Sequence, residues 1–363
     1  MDIYEELGIT PFINAYRPLT RLGGAVLSER VLEAMREASR KSVDLKVMQR
    51  KIGSAIASLT QNEAAYVSCG AASGITLAIA ACMAGTDPIM SERLPKSDGM
   101  KNEVIMHACD QGHKCDVAIR NAGASIVHVG NDSGATEHEF RSAINERTAA
   151  IFDVIQNHPG KMPLEQMIII ARERGVPILV DAAFSVPPKE NLWKYSRDKG
   201  ADAVFISGGK GLGGPQCTGL VLGKTWIVEA CAFHGAPNVR IGRGMKVGKE
   251  ELAGIYAAVK LTIEQDQTSA QETRVRQLDH ILACLEDVSN VAVRRLGATK
   301  AIITFDSIVY GLTYTSACQW LLKSVPAVYL EPSRDGLILS TECLEVGDEQ
   351  IVGGQLRKLF RVG

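Results

Sequence analysis

A single lysine stands inside a glycine-rich turn at the end of a predicted strand. The apolar residues 204–206 predict a buried strand, and five glycines surround Lys210 within residues 207–215. A flat or anionic group can approach the backbone of such a turn closely. The turn is not a phosphate-binding P-loop, because that motif has Ser or Thr after its lysine and Gly211 stands there. Two interpretations are left: a solvated lysine in a structural turn, and a partly buried lysine that forms a Schiff base with a carbonyl cofactor.

A carboxylate at the end of the preceding predicted strand is the second candidate. Residues 176–180 form an apolar run that ends at Asp181, with Ala182 and Ala183 after it. In open α/β sheets, ligands bind beyond the carboxyl ends of the strands, so we expect Asp181 and Lys210 to face one crevice. This pair suits pyridoxal phosphate, which needs a lysine Schiff base and an acidic partner for its pyridine nitrogen. Taken alone, Asp181 is also compatible with a helix N-cap.

The elements that position these residues alternate between predicted strands and helices. Besides the two strands above, the pattern predicts strands over 64–68, 103–106, 125–129, 149–155 and 219–222. Thr136 and Glu139 predict a capping box that opens a helix. This alternation is typical of a doubly wound, mostly parallel sheet. After about residue 268 the pattern changes to that of an α+β lobe.

We therefore predict an α/β fold in three segments. Residues 1–44 form an arm and a helix that pack on the small lobe and a dimer interface, 45–248 form a large cofactor-binding domain, and 249–363 form a small C-terminal domain.

Several short motifs resemble those of one enzyme family over nearly the whole chain, from about Ile9 to the last helix. They are Ser207-Gly208-Gly209-Lys210, Gly213-Gly214-Pro215, Asp181-Ala182-Ala183, Ile13-Asn14-Ala15 and Thr20-Arg21-Leu22-Gly23. The family is the SelA-like branch of fold-type-I pyridoxal-phosphate enzymes, which includes bacterial selenocysteine synthase and D-glucosaminate-6-phosphate ammonia-lyase. The resemblance implies an aspartate aminotransferase-like fold and pyridoxal 5′-phosphate as the cofactor.

The resemblance also assigns expected roles. Lys210 is expected to hold the cofactor and move the proton of the substrate's alpha carbon, Asp181 to stabilise the pyridinium, and His113 to stack on the ring. The cofactor phosphate is expected at the start of a helix, where free backbone N–H groups attract anions. The residues implied for the seat and the rest of the cofactor site are Gly70, Ala71, Ala72, Ser73, Ala183, Ser207 and Asn157.

Two histidines and two cysteines lie close together between His107 and Cys115. Their spacing matches no structural zinc pattern, so we predict no metal site. We prefer a histidine that stacks on the cofactor, and His113 fits the family position better than His107. Gln111 is a further alternative, because the match to the family tolerates a shift of one residue here.

Arginines are the candidates for the acid group of a substrate, because guanidinium groups bind carboxylates and phosphates through paired hydrogen bonds. Arg17 and Arg21 lie in the predicted arm and Arg334 near the C-terminus. In relatives, the segment that holds Arg243 and Lys246 crosses the dimer interface, so we expect these two to reach the neighbouring subunit's site. Surface positions without a ligand are an equally good interpretation of most of these charges.

Composition limits the classes of partner. The chain has 363 residues, 46% of them hydrophobic, with 40 basic and 41 acidic side chains and a formal charge of −1. It has no overall positive field for nucleic acid, and no apolar run approaches the roughly 20 residues that span a bilayer. The nine cysteines form no C-x-x-C pair, which is typical of free thiols in a reducing cytoplasm. We expect a cytoplasmic homodimer or larger homo-oligomer that binds neither nucleic acid nor membrane.

The predicted function is a pyridoxal-phosphate-dependent lyase acting on a small amino compound. The nearer relatives imply α,β-elimination, with loss of water and then ammonia from a hydroxylated amino acid or amino sugar acid. Selenocysteine synthase itself is not expected, because it has an additional tRNA-binding domain whereas here the family motifs begin by Ile13 in a neutral chain. β-Replacement, retro-aldol cleavage and racemisation use the same carbanion and stay open, as does a non-catalytic binding protein on this scaffold or a metal enzyme built on the histidine and cysteine cluster.

Overall fold

The computed structural model describes residues 2–156 and 158–361. The strands are β1 (Phe12–Asn14), β2 (Ala64–Ser68), β3 (Glu103–His107), β4 (Ser125–Val129), β5 (Thr148–Val154), β6 (Ile178–Asp181), β7 (Ala203–Ser207), β8 (Gly219–Gly223), β9 (Val291–Gly297), β10 (Lys300–Phe305), β11 (Ala327–Tyr329), β12 (Glu331–Pro332) and β13 (Leu337–Ser340). The α-helices are α1 (Ile3–Leu7), α2 (Glu29–Ser39), α3 (Leu45–Leu59), α4 (Gly70–Ala84), α5 (Pro88–Arg93), α6 (Cys115–Asn121), α7 (Glu137–Ala143), α8 (Leu164–Arg174), α9 (Asn191–Trp193), α10 (Thr225–His234), α11 (Lys249–Glu264), α12 (Gln267–Ala283), α13 (Ser307–Tyr310), α14 (Tyr314–Lys323) and α15 (Asp348–Leu359).

The chain divides into two compact units. The larger unit contains residues 27–264, and the smaller unit contains the described residues up to 26 and from 265 onward. The sequence predicted a large domain over residues 45–248. The larger unit instead begins at residue 27 and ends at residue 264. Both additions are helices that pack on each other: α2 and α11 are joined by an ion pair from Arg30 to Glu264 at 2.6 Å, and Val31 of α2 is fully buried in the core of this unit.

The larger unit is built on a seven-stranded sheet in the order β2-β8-β7-β6-β5-β3-β4. Strands β7, β6, β5, β3 and β4 are parallel to one another, whereas β8 runs antiparallel to both β7 and β2. The predicted mostly parallel sheet is therefore present. Each parallel strand ends at the same edge, which is where this architecture places its ligands.

Both faces of this sheet are covered, because successive strand residues point to opposite sides. In β7, Val204 and Ile206 join one hydrophobic core and Phe205 joins the other. Helix α4 lies in the second core and is apolar around most of its circumference. Its first turn lies at the ligand-binding edge, because β2 ends at Ser68 directly before it.

The smaller unit is an α+β arrangement with its own core. It has a four-stranded antiparallel sheet in the order β12-β13-β10-β9 and a parallel pair formed by β1 and β11. The pairing of Ile13 with Val328 joins the first residues of the chain to its last third. No helix in the described part of the chain is long and apolar enough to cross a membrane.

Candidate active site

The lysine and the carboxylate lie at the carboxyl ends of neighbouring strands. Asp181 is the last residue of β6 and Ser207 the last of β7, and the two strands are parallel and hydrogen-bonded. Lys210 follows in the glycine-rich turn after Ser207. The structure thus puts Asp181 and Lys210 at one edge of the sheet.

The turn around Lys210 is folded tightly on itself. The N–H of Gly208 donates to the carbonyl of Thr218 at 2.8 Å, and the N–H of Gly214 donates to the carbonyl of Gly208 at 2.9 Å. The turn approaches the backbone of Val186 so closely at Gly211 that only glycine fits, because a Cβ there would lie 1.8 Å from the carbonyl oxygen of Val186. The backbone therefore fixes the position from which the lysine side chain extends.

Lys210 is half-buried and lies against an aromatic ring. Its Nζ is 3.2 Å from the centroid of the Phe184 ring, a cation–π contact. Phe184 comes from the segment after β6, so this contact joins the two strand-end loops that carry Asp181 and Lys210. The ring covers the amine on one side.

Asp181 is buried, with 8% of its surface exposed. Its Oδ1 accepts a hydrogen bond from the N–H of Ala183 at 3.0 Å. Burial raises the pKa of the Asp181 carboxyl, and the Ala183 N–H, His113 and Lys210 oppose that rise. A buried carboxylate of this kind is stabilised as an anion when a cationic group contacts it.

The start of α4 has the properties of a phosphate-binding site. Its N-cap, Cys69, makes no side-chain hydrogen bond to the helix, so the first backbone N–H groups have no capping side chain. Gly219 packs against this turn, since a Cβ on it would lie 2.4 Å from the amide nitrogen of Ala71. Gly219 pairs with Ser68 on one side and Ser207 on the other, which brings the helix start and the lysine turn together.

The other residues predicted for the cofactor site differ in exposure. Gly70 and Ala71 are half-buried, Ala72 is exposed, and Ser73 and Ser207 are half-buried. Ala183 is half-buried beside the carboxylate that it binds. Asn157 lies outside the described residues.

The two histidines have different surroundings. His107 is fully buried, and its ring lies 4.9 Å from that of Phe140 in the core. His113 is half-buried, and its Nδ1 lies 3.2 Å from Sγ of Cys115. Gln111 is exposed in the loop between them.

His113 also lies close to the carboxylate of Asp181. Ligand atoms of His113, Cys115 and Asp181 all lie within 4.8 Å of one another. The metal hypothesis considered from sequence concerned only residues 107–115, and spacing could not reveal this group because Asp181 comes from another strand. Cys115 was not among the predicted site residues, although its two-residue spacing from His113 was visible in the sequence.

The predicted arginines lie apart in the chain. Arg17, Arg21 and Arg334 belong to the smaller unit, where Arg21 is paired with Glu331 at 2.5 Å. The guanidinium of Arg17 lies 3.9 Å from the carboxylate of Glu342, and Arg334 is exposed. In the larger unit, Arg243 and Lys246 are both exposed in the segment before α11.

A buried ion cluster of Asp110, Asp153 and Lys161 was missed by sequence reasoning. Nζ of Lys161 lies 2.7 Å from Oδ2 of Asp110 and 2.8 Å from Oδ1 of Asp153, and it also donates to the carbonyl of Val154. Gln156 donates to the other carboxylate oxygen of Asp110. The cluster joins the end of β5 to the loop that leads from β3 to His113. The one available signal was an aspartate inside the otherwise apolar run of β5.

Burial and pairing compete in this cluster. Burial raises the pKa of Asp153 to about 6, and Lys161 limits that rise. Burial lowers the pKa of Lys161, but Asp153 and Asp110 more than offset this, so its pKa lies above the usual value. Lys161 is therefore charged and acts as the counter-ion of both carboxylates.

With this geometry established, comparison with known proteins decides the family. The model of the family described as SelA: L-seryl-tRNA selenium transferase matches residues 19–308 of the chain. The chain belongs to the SelA family.

Relatives in and near this family agree with the match. A 5′-C-glycyluridine monooxygenase-decarboxylase from a Streptomyces species is 32% identical over 346 residues, which cover 90% of this chain and 83% of the relative. A D-glucosaminate-6-phosphate ammonia lyase from Salmonella typhimurium is 33% identical over 293 residues, 78% of this chain and 76% of the relative. A solved structure of D-glucosaminate-6-phosphate ammonia-lyase has a TM-score of 0.87 and 26% identity, and the match covers 100% of this chain and 99% of that chain.

These comparisons confirm the predicted SelA-like family, the fold-type-I architecture and pyridoxal 5′-phosphate as the cofactor. The residues at the sheet edge fit this molecule. Asp181 is a buried carboxylate suited to a pyridinium nitrogen, and the helix start beside Gly219 offers N–H groups to a phosphate. Lys210 follows β7, the strand that lies between β6 and β8 in the sheet.

Proposed function

We propose that this enzyme is a pyridoxal-phosphate-dependent lyase that catalyses α,β-elimination on a hydroxylated amino acid or amino sugar acid. The proposal is carried by one observation: the chain superposes over its whole length on D-glucosaminate-6-phosphate ammonia-lyase, with Asp181 and Lys210 at adjacent strand ends. The predicted enzyme class agrees with this relative. Water and then ammonia would leave the substrate.

The cofactor supplies a protonated pyridine ring that withdraws electrons from the substrate's alpha carbon. Lys210 is the residue that would bind it covalently. Its Nζ, when not bonded to the cofactor, would accept the alpha proton of the substrate and return it later in the reaction. The Phe184 ring restricts the directions in which Nζ can move.

Asp181 would hold the pyridine nitrogen in its protonated form. Because burial raises the pKa of this carboxyl, an unpaired anion is costly there, and a pyridinium N–H supplies the missing partner. The N–H of Ala183 fixes one carboxylate oxygen at 3.0 Å and so orients the other.

The phosphate would bind at the start of α4, held by the backbone N–H groups of residues 70–72. Ser73 and Ser207 would add hydroxyl donors. His113 would stack on the ring, and Asn157 would also contact it. Substitution of each residue tests these roles one at a time.

Binding of the substrate's acid group is assigned to arginine. Arg17, Arg21 and Arg334 are the candidates, and Arg334 is exposed, whereas Arg17 and Arg21 each face a carboxylate that a substrate would have to displace.

We also propose a homodimer or larger homo-oligomer in which Arg243 and Lys246 reach the neighbouring subunit's site. Their exposure in this chain supports this assignment. Nine free thiols support a reducing, cytoplasmic location.

A second candidate function is oxygen-dependent decarboxylation of an amino acid. The Streptomyces monooxygenase-decarboxylase matches 90% of this chain, more than the 78% matched by the ammonia lyase. This reaction consumes molecular oxygen and releases carbon dioxide, whereas elimination consumes neither oxygen nor the carboxylate. The products therefore separate the two functions.

The experiment is a substrate screen of the cofactor-loaded enzyme with 3-hydroxy amino acids and aminated sugar acids. Ammonia, 2-oxo acid, carbon dioxide and dissolved oxygen are measured in each reaction, with Lys210→Ala as the control. Release of ammonia and a 2-oxo acid in equal amounts, without oxygen uptake, supports elimination. Oxygen uptake with carbon dioxide release supports the second function, and product formation by Lys210→Ala would contradict both.

A further inference from the structure

Three side chains of the types that bind zinc meet at the strand end that carries Asp181. Ligand atoms of His113, Cys115 and Asp181 all lie within 4.8 Å of one another, and Nδ1 of His113 is 3.2 Å from Sγ of Cys115. Cys115 and Asp181 are buried, with 2% and 8% of their surfaces exposed. His113 is half-buried, so an ion can reach the group from its side.

Two separate elements hold these side chains in place. Cys115 is the first residue of α6, and the N–H of His113, two positions earlier, donates to the carbonyl of Asp110 at 3.1 Å. Asp181 is the last residue of β6, and its Oδ1 accepts a hydrogen bond from the N–H of Ala183 at 3.0 Å. Because the fold already gathers the three groups, little ordering is left for an ion to impose.

The spacing of the group suits a tetrahedral ion. Zinc binds nitrogen, oxygen and thiolate sulfur at about 2.0–2.3 Å, so its ligand atoms lie about 3.3–3.6 Å apart. The separation of 3.2 Å between Nδ1 and Sγ is close to this value. The outer limit of 4.8 Å exceeds it by about 1.2 Å, which rotation of a side chain can close. Imidazole, thiolate and carboxylate, with water in the fourth position, are ligands that zinc accepts.

The site does not depend on where the Cys115 thiol donates its proton. Sγ lies 3.2 Å from Nδ1 of His113 and 4.0 Å from Oδ1 of Asp116, so two acceptors are near it. A bound Zn²⁺ displaces this proton into solvent, and a Zn–S bond forms where the S–H bond breaks. Either ring nitrogen of a histidine can be the metal ligand.

We propose that His113, Cys115 and Asp181 form a zinc site in the cofactor-free enzyme, and that zinc and pyridoxal phosphate exclude each other there. The inference rests on the proposed function for the place of the cofactor, since Asp181 would hold its pyridinium nitrogen and His113 would stack on its ring. The N–H of Ala183 already occupies Oδ1 of Asp181, and two cations that need the same carboxylate repel each other. The loaded enzyme therefore has no zinc at this site, and free zinc hinders loading.

The first experiment titrates Zn²⁺ into the full-length protein, cofactor-free and loaded, and repeats the titration with Co²⁺, which gives a sulfur-to-metal charge-transfer band when a thiolate binds it. The cofactor-free wild type is expected to bind one ion that gives this band. The loaded enzyme, Cys115→Ala and Cys115→Ser should each bind zinc about 100-fold more weakly or less, without the band. Cys217→Ser removes an exposed thiol and is the matched control, which should behave like the wild type.

Cofactor loading supplies the second readout. Zinc added before pyridoxal phosphate should slow or reduce the visible band of the wild type, and a chelator should restore it. Cys115→Ala should load equally with and without zinc, because Cys115 has no proposed contact with the cofactor. Both proteins meet the same mixture, so any reaction between zinc and free cofactor cancels in this comparison.

The inference is overturned if the cofactor-free wild type binds no zinc, if both Cys115 variants keep tight binding or the cobalt band, or if the loaded enzyme binds zinc as tightly as the cofactor-free protein. Should Cys115→Ala fail to fold, Cys115→Ser decides, because its side chain has nearly the same shape. A wild type that shows no visible band with pyridoxal phosphate alone would overturn the proposed function, whereas the zinc titration of the cofactor-free protein would still test the metal site.

Discussion

Replacing Lys161 by Met should be among the most destabilising single changes at this edge of the sheet. The ammonium is the shared counter-ion of Asp110 and Asp153, and the three side chains are 7%, 0% and 4% exposed. Met has a similar length and no charge. The substitution therefore leaves two buried carboxylates without a cation.

The magnitude follows from what remains buried. Removing one partner of a buried ion pair destabilises a protein by about 3–5 kcal/mol, because the other charge stays desolvated. Protonation of Asp153, whose pKa is already raised to about 6, would relieve part of this loss. We therefore expect a decrease of about 3 kcal/mol in the free energy of unfolding at pH 7.5, and a smaller decrease at pH 5.5, where that carboxyl is more protonated.

The assay is urea unfolding of the cofactor-free protein at both pH values. Lys199→Met is the matched control, since Lys199 forms a partly exposed pair with Glu165 at 2.7 Å. Such surface pairs contribute about 0–1 kcal/mol. The triple variant Lys161→Met, Asp110→Asn, Asp153→Asn removes every charge of the cluster and should recover much of the lost stability. Equal losses of stability in Lys161→Met and Lys199→Met, or a triple variant less stable than Lys161→Met, would contradict this expectation.

Three further outcomes are expected. Burial lowers the pKa of His107 to about 4 from 6.5, so the stability that its neutral ring provides is complete above pH 6.5 and is lost as the pH falls toward 4. In urea unfolding, the free energy of unfolding of His107→Leu should therefore rise by about 2 kcal/mol relative to that of the wild type between pH 7.5 and pH 5. A difference between the two proteins that does not change with pH would contradict this. Gly219→Ala should weaken cofactor binding about tenfold or more in a spectral titration, because its Cβ would lie 2.4 Å from the Ala71 nitrogen, while Gly244→Ala, which has open space, should bind normally. Asp181→Asn should bind the cofactor but lower turnover by about 100-fold, and an unchanged rate would argue against its role at the ring nitrogen.

The parts of the site that lie within one local pattern were predictable from sequence. Asp181 and Lys210 each follow an apolar run, and parallel strands end at one edge, so their common location followed from the periodicity. The start of α4 was visible as a strand, a glycine and a run of small residues. The capping box of Thr136 and Glu139 is present as predicted.

Features that depend on distant pairing were not predictable. Lys161 contacts Asp110 across about 50 positions of the chain, and no spacing rule connects them. The approach of Cys115 and His113 to Asp181 likewise depends on which strands are neighbours in the sheet. Apolar periodicity also could not assign α2 to the larger unit, because an amphipathic helix shows that it covers a core without showing which one.

The direction of β8 illustrates the same limit. Its apolar run predicted a buried strand, and the strand is buried, but it runs antiparallel to its neighbours. The composition of a strand buried on both faces does not reveal its direction. This reversal matters for the site, because it brings Gly219 between Ser68 and Ser207.

The central claim is that Lys210 carries the cofactor, and borohydride trapping tests it most directly. Wild-type protein and Lys210→Ala are loaded with pyridoxal phosphate, their visible spectra are recorded, and each is reduced, digested and mapped by mass spectrometry. We expect a visible band in the wild type and a cofactor-sized mass increase on the peptide that contains Lys210, with neither in the variant. A wild type without the band, or the same modified peptide in both proteins, would contradict it.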